Sequence, residues 1–425
     1  EAVRAFFNAE GQATDTVTAY AFGNYGDSSG DTEFFYRNPV TRTDIFRSVP
    51  LTDQPGGPRF NFNEWYPGGF TPVFGTNIVD SSLTLGARGE WSNGLEFDFS
   101  ASRGRSEIEY RIRNTVNPSL GPDSPTRFRP GVIQQLETNF NADFVYSLPV
   151  ESFASPLNVA FGAEWRQEEF EIRPGNEASW VAGPYARVLD PDTGNFIGLA
   201  VGSSGFPGYV PSSSGTWTRS NAAVYLDLEA DVTDRLTLGA AARFEDFSDF
   251  GNTFNWKVSG RLEVTEWLAV RASANTGFRA PTPGQGNISD VATNIDLVTG
   301  GLLLTATRPP YDPISEFYGS KPLTEEESTS FAAGLVFTLP GDWLLTADFF
   351  RIEVDNRIAA ASEGGAVVRS KPLAFDDGSS LLLNAGVNYT ASEISDIKDA
   401  RAVNREREIE IKEFNPDIRG SLSLD

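Results

Sequence analysis

The chain has 425 residues, a formal net charge of −24 and no cysteine, histidine or methionine. Without cysteine there is no disulfide, thiolate metal site or thiol nucleophile, and without histidine the commonest general base and zinc ligand are gone. The acidic balance speaks against a nucleic-acid partner, which needs clustered Lys and Arg, and no apolar run is long enough for a transmembrane helix.

From its first residues the chain alternates apolar and polar side chains. Val3, Ala5 and Phe7 open a strand, residues 12–15 turn, and residues 16–25 return. A long segment rich in Gly, Pro, Asn and aromatics covers 26–78. Leu83, Leu85 and Ala87 then share one strand face while Thr84, Gly86 and Arg88 share the other. Ser92-Asn93-Gly94 turns into Leu95, Phe97 and Phe99, opposed by Glu96, Asp98 and Ser100. A second long loop is expected over 110–132, followed by Leu136, Phe140 and Phe144, a turn at 149–156, and Leu157, Phe161 and Trp165. A third loop covers 173–216. Val224, Leu226 and Leu228 lead through a turn at 231–234 to Leu236 and Leu238; Val258 and Leu262 lead through Thr265-Glu266 to Leu268 and Val270. A fourth loop spans 279–325. Phe331, Leu335 and Phe337 precede a Pro340-Gly341-Asp342 turn, and Trp343, Leu345 and Phe349 follow it. Leu381, Leu383 and Ala385 pattern one more strand, for roughly fifteen in all.

Period-two alternation means a sheet with one apolar and one wet face. Connections that are short, then long, then short again mean a meander whose ends meet different environments. Soluble sandwich strands average about five or six residues, whereas a tilted membrane strand needs about nine to eleven; these strands match the longer figure. Trp91, Trp267 and Trp343 all adjoin short turns, as an aromatic girdle would. The expectation is an all-β, antiparallel transmembrane β-barrel. Leu83, Leu85, Phe97, Phe99, Phe140, Leu226, Leu262, Val270, Leu335 and Leu345 should face lipid, and their polar neighbours the lumen.

The long loops hold Trp65, Tyr66, Trp180, Tyr209 and Tyr311, whose faces can stack on a ligand or simply pack the loops over the barrel mouth. Arg279 at a strand end could meet an anionic ligand or hold its loop. Glu245, Asp246 and Asp249 crowd a short loop and offer oxygens to Ca²⁺, or form a solvated acidic turn. The arginines Arg88, Arg166, Arg243, Arg261 and Arg271 share the polar face with carboxylates, as an enclosed wet interior requires. No catalytic constellation is visible: a hydrolase without histidine would need a carboxylate pair. The expectation is a non-enzyme with no cofactor and no metal.

Several stretches resemble the barrel of TonB-dependent outer-membrane receptors. Asn275-Thr-Gly-Phe-Arg-Ala-Pro-Thr-Pro-Gly-Gln285 resembles their "GFRAP" strand-to-loop motif. Residues 323–328 (Leu-Thr-Glu-Glu-Glu-Ser) resemble the "L-x-P-E-x-S" entry to a later strand, residues 349–358 the "D-x-F-x-I-x-I-x-x-R-I" strand, and residues 415–420 the "N-x-P-x-H-R-G" approach. The resemblance implies a twenty-two-stranded barrel filled by an N-terminal plug in the outer membrane of a Gram-negative cell. It implies contact with outer-membrane lipids, energy from the TonB-ExbB-ExbD complex, and import of a bulky small-molecule nutrient such as a siderophore or carbohydrate; a passive channel is the alternative. The chain departs from that pattern. The expectation is that residues 1–425 are a barrel segment, without the plug, the TonB box or the C-terminal strands.

Overall fold

In the computed structural model the described residues are 1–295, 302–317, 320–341 and 343–359, with two-residue strands at Leu373–Ala374 and Ser380–Leu381. Among them one antiparallel sheet of twelve strands dominates, and its spatial order is its chain order. The strands are β1 (Ala2–Thr14), β2 (Val17–Glu33), β3 (Val73–Glu90), β4 (Leu95–Arg113), β5 (Arg127–Leu148), β6 (Leu157–Pro174), β7 (Gly215–Thr233), β8 (Leu236–Phe247), β9 (Gly251–Thr265), β10 (Leu268–Arg279), β11 (Glu326–Leu339) and β12 (Trp343–Asp355). The sequence pattern of 381–389 and the motif at 415–420 lie outside the described residues, Leu381 excepted.

The register settles which side chains share a face. Ala21, Leu85, Ala101, Phe140 and Trp165 lie opposite one another across successive strands. So do Phe97, Phe144, Phe161 and Leu226, and farther on Leu262, Val270 and Leu335. The apolar residues expected on one face are all on it, and most are exposed: Leu85 is 52% accessible and Phe140 52%. A sheet that presents its leucines outward in this way is built for an apolar surrounding, not for a second sheet. Trp91, Trp267 and Trp343 are exposed beside the short turns, with Trp91 stacked on Phe97 at 4.6 Å and Trp267 on Phe337 at 6.2 Å.

Short turns follow the strands expected to have them, but pairing runs on before the chain reverses: the turns expected at 12–15, 231–234 and 265–266 close at 15–16, 234–235 and 266–267, and Asp342 of the expected 340–342 turn lies outside the described residues. Three repeat one local design: Thr14-Asp-Thr-Val17, Thr233-Asp-Arg-Leu236 and Thr265-Glu-Trp-Leu268 each close a strand pair after a one-residue register shift. In the first two, the threonine hydroxyl accepts from the amide two residues on, at 3.3 Å.

At the other rim the strands run farther than alternation suggested. Asp27, Ser29 and Asp31 continue the ladder against Val79, Asn77 and Gly75, so the first long connection is 34–72, not 26–78. The others shrink to 114–126, 175–214 and 280–325. Backbone pairing does not need an apolar face; where both faces are wet, only the pattern fades. Ion pairs such as Arg113–Asp31 at 2.8 Å sit where leucines sit lower down.

The buried core lies in the loops and in the strand tops beneath them, not in the lower sheet. Ile45, Phe46, Val49, Phe60, Phe62, Phe70, Val116 and Leu199, drawn from three connections, form one cluster. A second joins loop residues Phe206 and Tyr209 to Ile112, Phe128, Phe170 and Ile172, which point to the polar side of the strand tops. The wet face of the wall thus turns apolar in its upper part, and loop 175–214 fills it.

Candidate functional site

The lower polar face is a ladder of paired charges. Arg243 bonds Glu164 at 3.1 Å and Glu245 at 2.7 Å, Arg166 donates to Asn221 at 3.1 Å, and Arg261 pairs Glu263 at 2.8 Å. Arg271 makes a two-pronged contact with Asp348, at 3.0 and 2.7 Å. Asp98 and Asp143 face each other directly, an unfavourable pairing of like charges. Each is capped at 2.6 Å by a tyrosine hydroxyl, Tyr20 for Asp98 and Tyr225 for Asp143. Each tyrosine ring lies across a glycine of the neighbouring strand, Gly86 or Gly162, where any side chain would collide with it. The carboxylates Glu245, Asp246 and Asp249 do not converge. Glu245 is tied to Arg243 and Asn221, Asp246 lies on the opposite face, and Asp249 sits in a turn 3.7 Å from Arg219.

Above this ladder the three loops are stitched to one another. Asn117 is fully buried and its side chain makes five hydrogen bonds: Nδ2 donates to the carbonyls of Ala178 and Val181, and Oδ1 accepts from the Ser119 amide and hydroxyl and the Gly202 amide. Arg59 reaches from loop 34–72 to Asp190 at 2.9 Å and Asp192 at 2.8 Å in loop 175–214. The bond to Arg59 holds the Asp190 carboxyl below its ordinary range. Arg37 is also fully buried: its Nε donates to Ser204 Oγ at 2.9 Å, one terminal nitrogen donates to the Phe35 carbonyl, and Nη2 has no hydrogen-bond partner. Burial, with the nearby Arg42 charge, pushes its guanidinium down to about 10.

The residues singled out from sequence fall into different settings. Trp65 is exposed and packs edge-on against Phe60 and Phe62 at 5.6 and 5.3 Å. Tyr66 is half-buried 4.7 Å from Phe70, and burial raises its hydroxyl. Trp180 is half-buried, its ring nitrogen donating to the Gly175 carbonyl at 3.0 Å. Tyr209 is buried against Phe206. Arg279 and Tyr311 are exposed. Trp65 and Tyr66 are together; the others are not drawn into one site. The buried polar residues Arg37 and Asn117 and the half-buried Arg59 were not singled out, and no spacing in the sequence marks them.

The three resemblance motifs within the described residues meet at Glu326. This buried carboxylate on β11 pairs Arg279 at 3.8 Å and accepts the Ile358 amide at 2.7 Å. Phe278 rests edge-on against Phe247 at 5.7 Å. Arg219, itself bound to Glu168, donates to the Pro281 carbonyl. From there a short helix, Pro283–Asn287, capped by Thr282, leans inward over Phe170.

Comparison with known proteins agrees with this architecture. A relative, the ferric enterobactin receptor PirA of Pseudomonas aeruginosa, is 24% identical over 285 residues, covering 64% of this chain and 32% of that protein. The chain thus spans about a third of the length of the curated relative it matches. The crystal structure of the siderophore receptor PirA from the same organism covers 87% of this chain and 56% of its own, at 16% identity and a TM-score of 0.48. The RagAB peptide importer in its "closed-closed" state covers 85% and 41%, at 12% identity and 0.51. The family model of the TonB dependent receptor-like β-barrel matches residues 6–395. The chain therefore belongs to the TonB-dependent receptor family and forms part of its antiparallel β-barrel.

Proposed function

We propose that the chain is barrel wall and outer mouth of an active importer in the outer membrane of a Gram-negative cell. The observation that carries this reading is the division of one sheet into an exposed apolar face and a charge-paired face, with the long connections among the described residues gathered at one rim. The apolar face meets outer-membrane lipid. The charged face lines the path and contacts a plug domain supplied by the full-length receptor. The cargo is a bulky nutrient. The name of the curated relative favours an iron chelate, with carbohydrate also compatible. Exposed Trp65, Arg279 and Tyr311 are first-contact residues, Tyr66 and Trp180 lie behind them, and Tyr209 is reached only when its loop moves. Nothing in this reading asks for bond-breaking chemistry. Tight capture in the mouth would stall passage unless energy is spent on release, which assigns that role to TonB with ExbB and ExbD. Uptake of ferric siderophores by cells expressing the full-length receptor tests this. Saturable uptake that stops when the proton-motive force is collapsed is expected; equal, non-saturable uptake in both states would mean a passive pore.

A further inference from the structure

The outward face of the wall changes character as the strands rise. On β4, Phe97, Phe99 and Ala101 face outward low down, and above them the same face carries Arg103, Arg105, Glu107, Glu109, Arg111 and Arg113. Arg113 lies directly opposite Arg127 on β5, and Phe128 turns inward to the cap core, so Arg127 and Arg129 also face outward. Like charges placed opposite one another on a sheet destabilise the pair unless an anion compensates them.

Arg111, Arg113, Arg127 and Arg129 line one groove of about 920 Å³ on the outside of the wall. Its acidic lining residues are Asp31 and Glu1, with Glu109 beside them. Asp31 lies across Gly75, where a Cβ would stand 2.5 Å from its carboxylate, and pairs Arg113 at 2.8 Å. Glu109 stands 3.6 Å from Arg129. Arg111 and Arg127 are exposed and have no ion-pair or hydrogen-bond partner among the described residues, and the same is true of Arg103 lower down. In a chain of net charge −24, this is a place where cations meet and stay unpaired.

Height selects the anion. Arg103 lies opposite Leu83, at the upper edge of the apolar band. Arg111 and Arg113 are eight and ten positions farther along, roughly 26–33 Å of strand. At the tilt of a membrane barrel that is about 20–25 Å above the hydrocarbon. Acyl chains do not reach that level; the charged sugars of an outer-leaflet glycolipid do. A guanidinium fork matches a phosphate in two-pronged fashion.

We infer that this outward groove holds the phosphorylated sugar core of lipopolysaccharide, with Arg111 and Arg127 on core phosphates and Arg103 on a phosphate nearer the acyl chains. The inference rests on the outer-membrane placement in the import reading. It concerns the outside of the wall, away from the loop cap and the path.

Lipopolysaccharide with a phosphorylated core is the probe, titrated against the full-length receptor in nanodiscs. The comparators are the same lipid stripped of its core phosphates, inorganic phosphate, and poly-glutamate. Arg111→Gln combined with Arg127→Gln should weaken the phosphorylated lipid roughly tenfold and leave the stripped lipid unchanged. Asp31→Asn frees Arg113 and should tighten the phosphorylated lipid, a change of sign that a damaged fold would not produce. In the wild type, the phosphorylated lipid should slow phenylglyoxal modification of Arg111 and Arg127, read by mass spectrometry; this arm needs no substitution. Equal affinity with and without core phosphates, no loss in the double variant, no gain in Asp31→Asn, or unchanged labelling would each overturn the inference. Equal protection by inorganic phosphate would mean a bare anion site, and equal protection by poly-glutamate an acidic protein partner; either result overturns the glycolipid. Failure here with energised uptake intact sinks the groove alone. Loss of energy dependence with the lipid results as expected sinks active import alone.

Discussion

Wall and cap are made from one chain by opposite rules. In the wall, apolar side chains point outward and stay accessible, and the interior side is polar. In the cap, Phe62 and Ile45 are fully buried and the polar groups Asn117 and Arg37 are buried with them. The wall needs an apolar solvent to be stable; the cap carries its own core and tolerates water all round. Large-to-small substitutions should therefore hurt the cap and spare the wall.

The sharpest contrast pairs Phe62→Ala with Leu226→Ala. Removing Phe62 opens a cavity among Phe60, Trp65 and their neighbours and should destabilise the cap by about 3–5 kcal/mol. Leu226→Ala should cost about 1 kcal/mol or less, since lipid fills the space. Protease cleavage of the loops, against heat-modifiable migration of the barrel, reads the two separately. Equal sensitivity at both sites would break the comparison. Next in size is Leu226→Arg, expected to cost about 2–4 kcal/mol at mid-bilayer, with Asp227→Arg on the polar face far milder. The order reversed would place the sheet's faces the other way round.

Asn117→Ala leaves the Ala178 and Val181 carbonyls and the Gly202 amide without their partner, each at roughly 1–3 kcal/mol. Loop 175–214 should become protease-sensitive while barrel migration stays unchanged. The smallest effect is acidic. Because Arg59 depresses the Asp190 carboxyl, this contact supports the cap fully above the ordinary carboxylate range and is lost only as pH falls through the lowered value, beneath that range. Trp65 fluorescence should report the loss, and Asp190→Asn should remove that pH dependence. A wild-type cap that stays equally firm as pH falls well beneath the ordinary carboxylate range would argue against it.

The wall was legible and the cap was not, for one physical reason. Alternation is local, so Leu83 to Ala87 announce their faces within five positions. The ties of the cap are remote: Arg37 meets Ser204 across 167 positions, and Arg59 meets Asp190 across 131. Aromatics were visible as loop residues, but whether Trp65 or Tyr209 faces solvent depends on which other loop covers it. The strand tops were missed because Asp27, Ser29 and Asp31 carry no apolar alternation: the backbone ladder extends there, with Asp31 adding only an ion pair to Arg113. The motifs were visible piecewise; that Arg279, Glu326 and Ile358 converge required the register of β10 against β11 and β12.

The strands also differ in length, and this shapes the approach to the mouth. β3 to β7 run 18 to 22 residues, whereas β8 and β10 run 12. The connection between β8 and β9 is residues 248–250 alone. At about 3.3 Å per residue, a ten-residue difference is roughly 33 Å of strand. The parapet is tall on one flank and low on the other, like a jug with a lip. The low edge lies beside β8 and β9, and the tall one, along β3 to β7, carries the cap's anchorage.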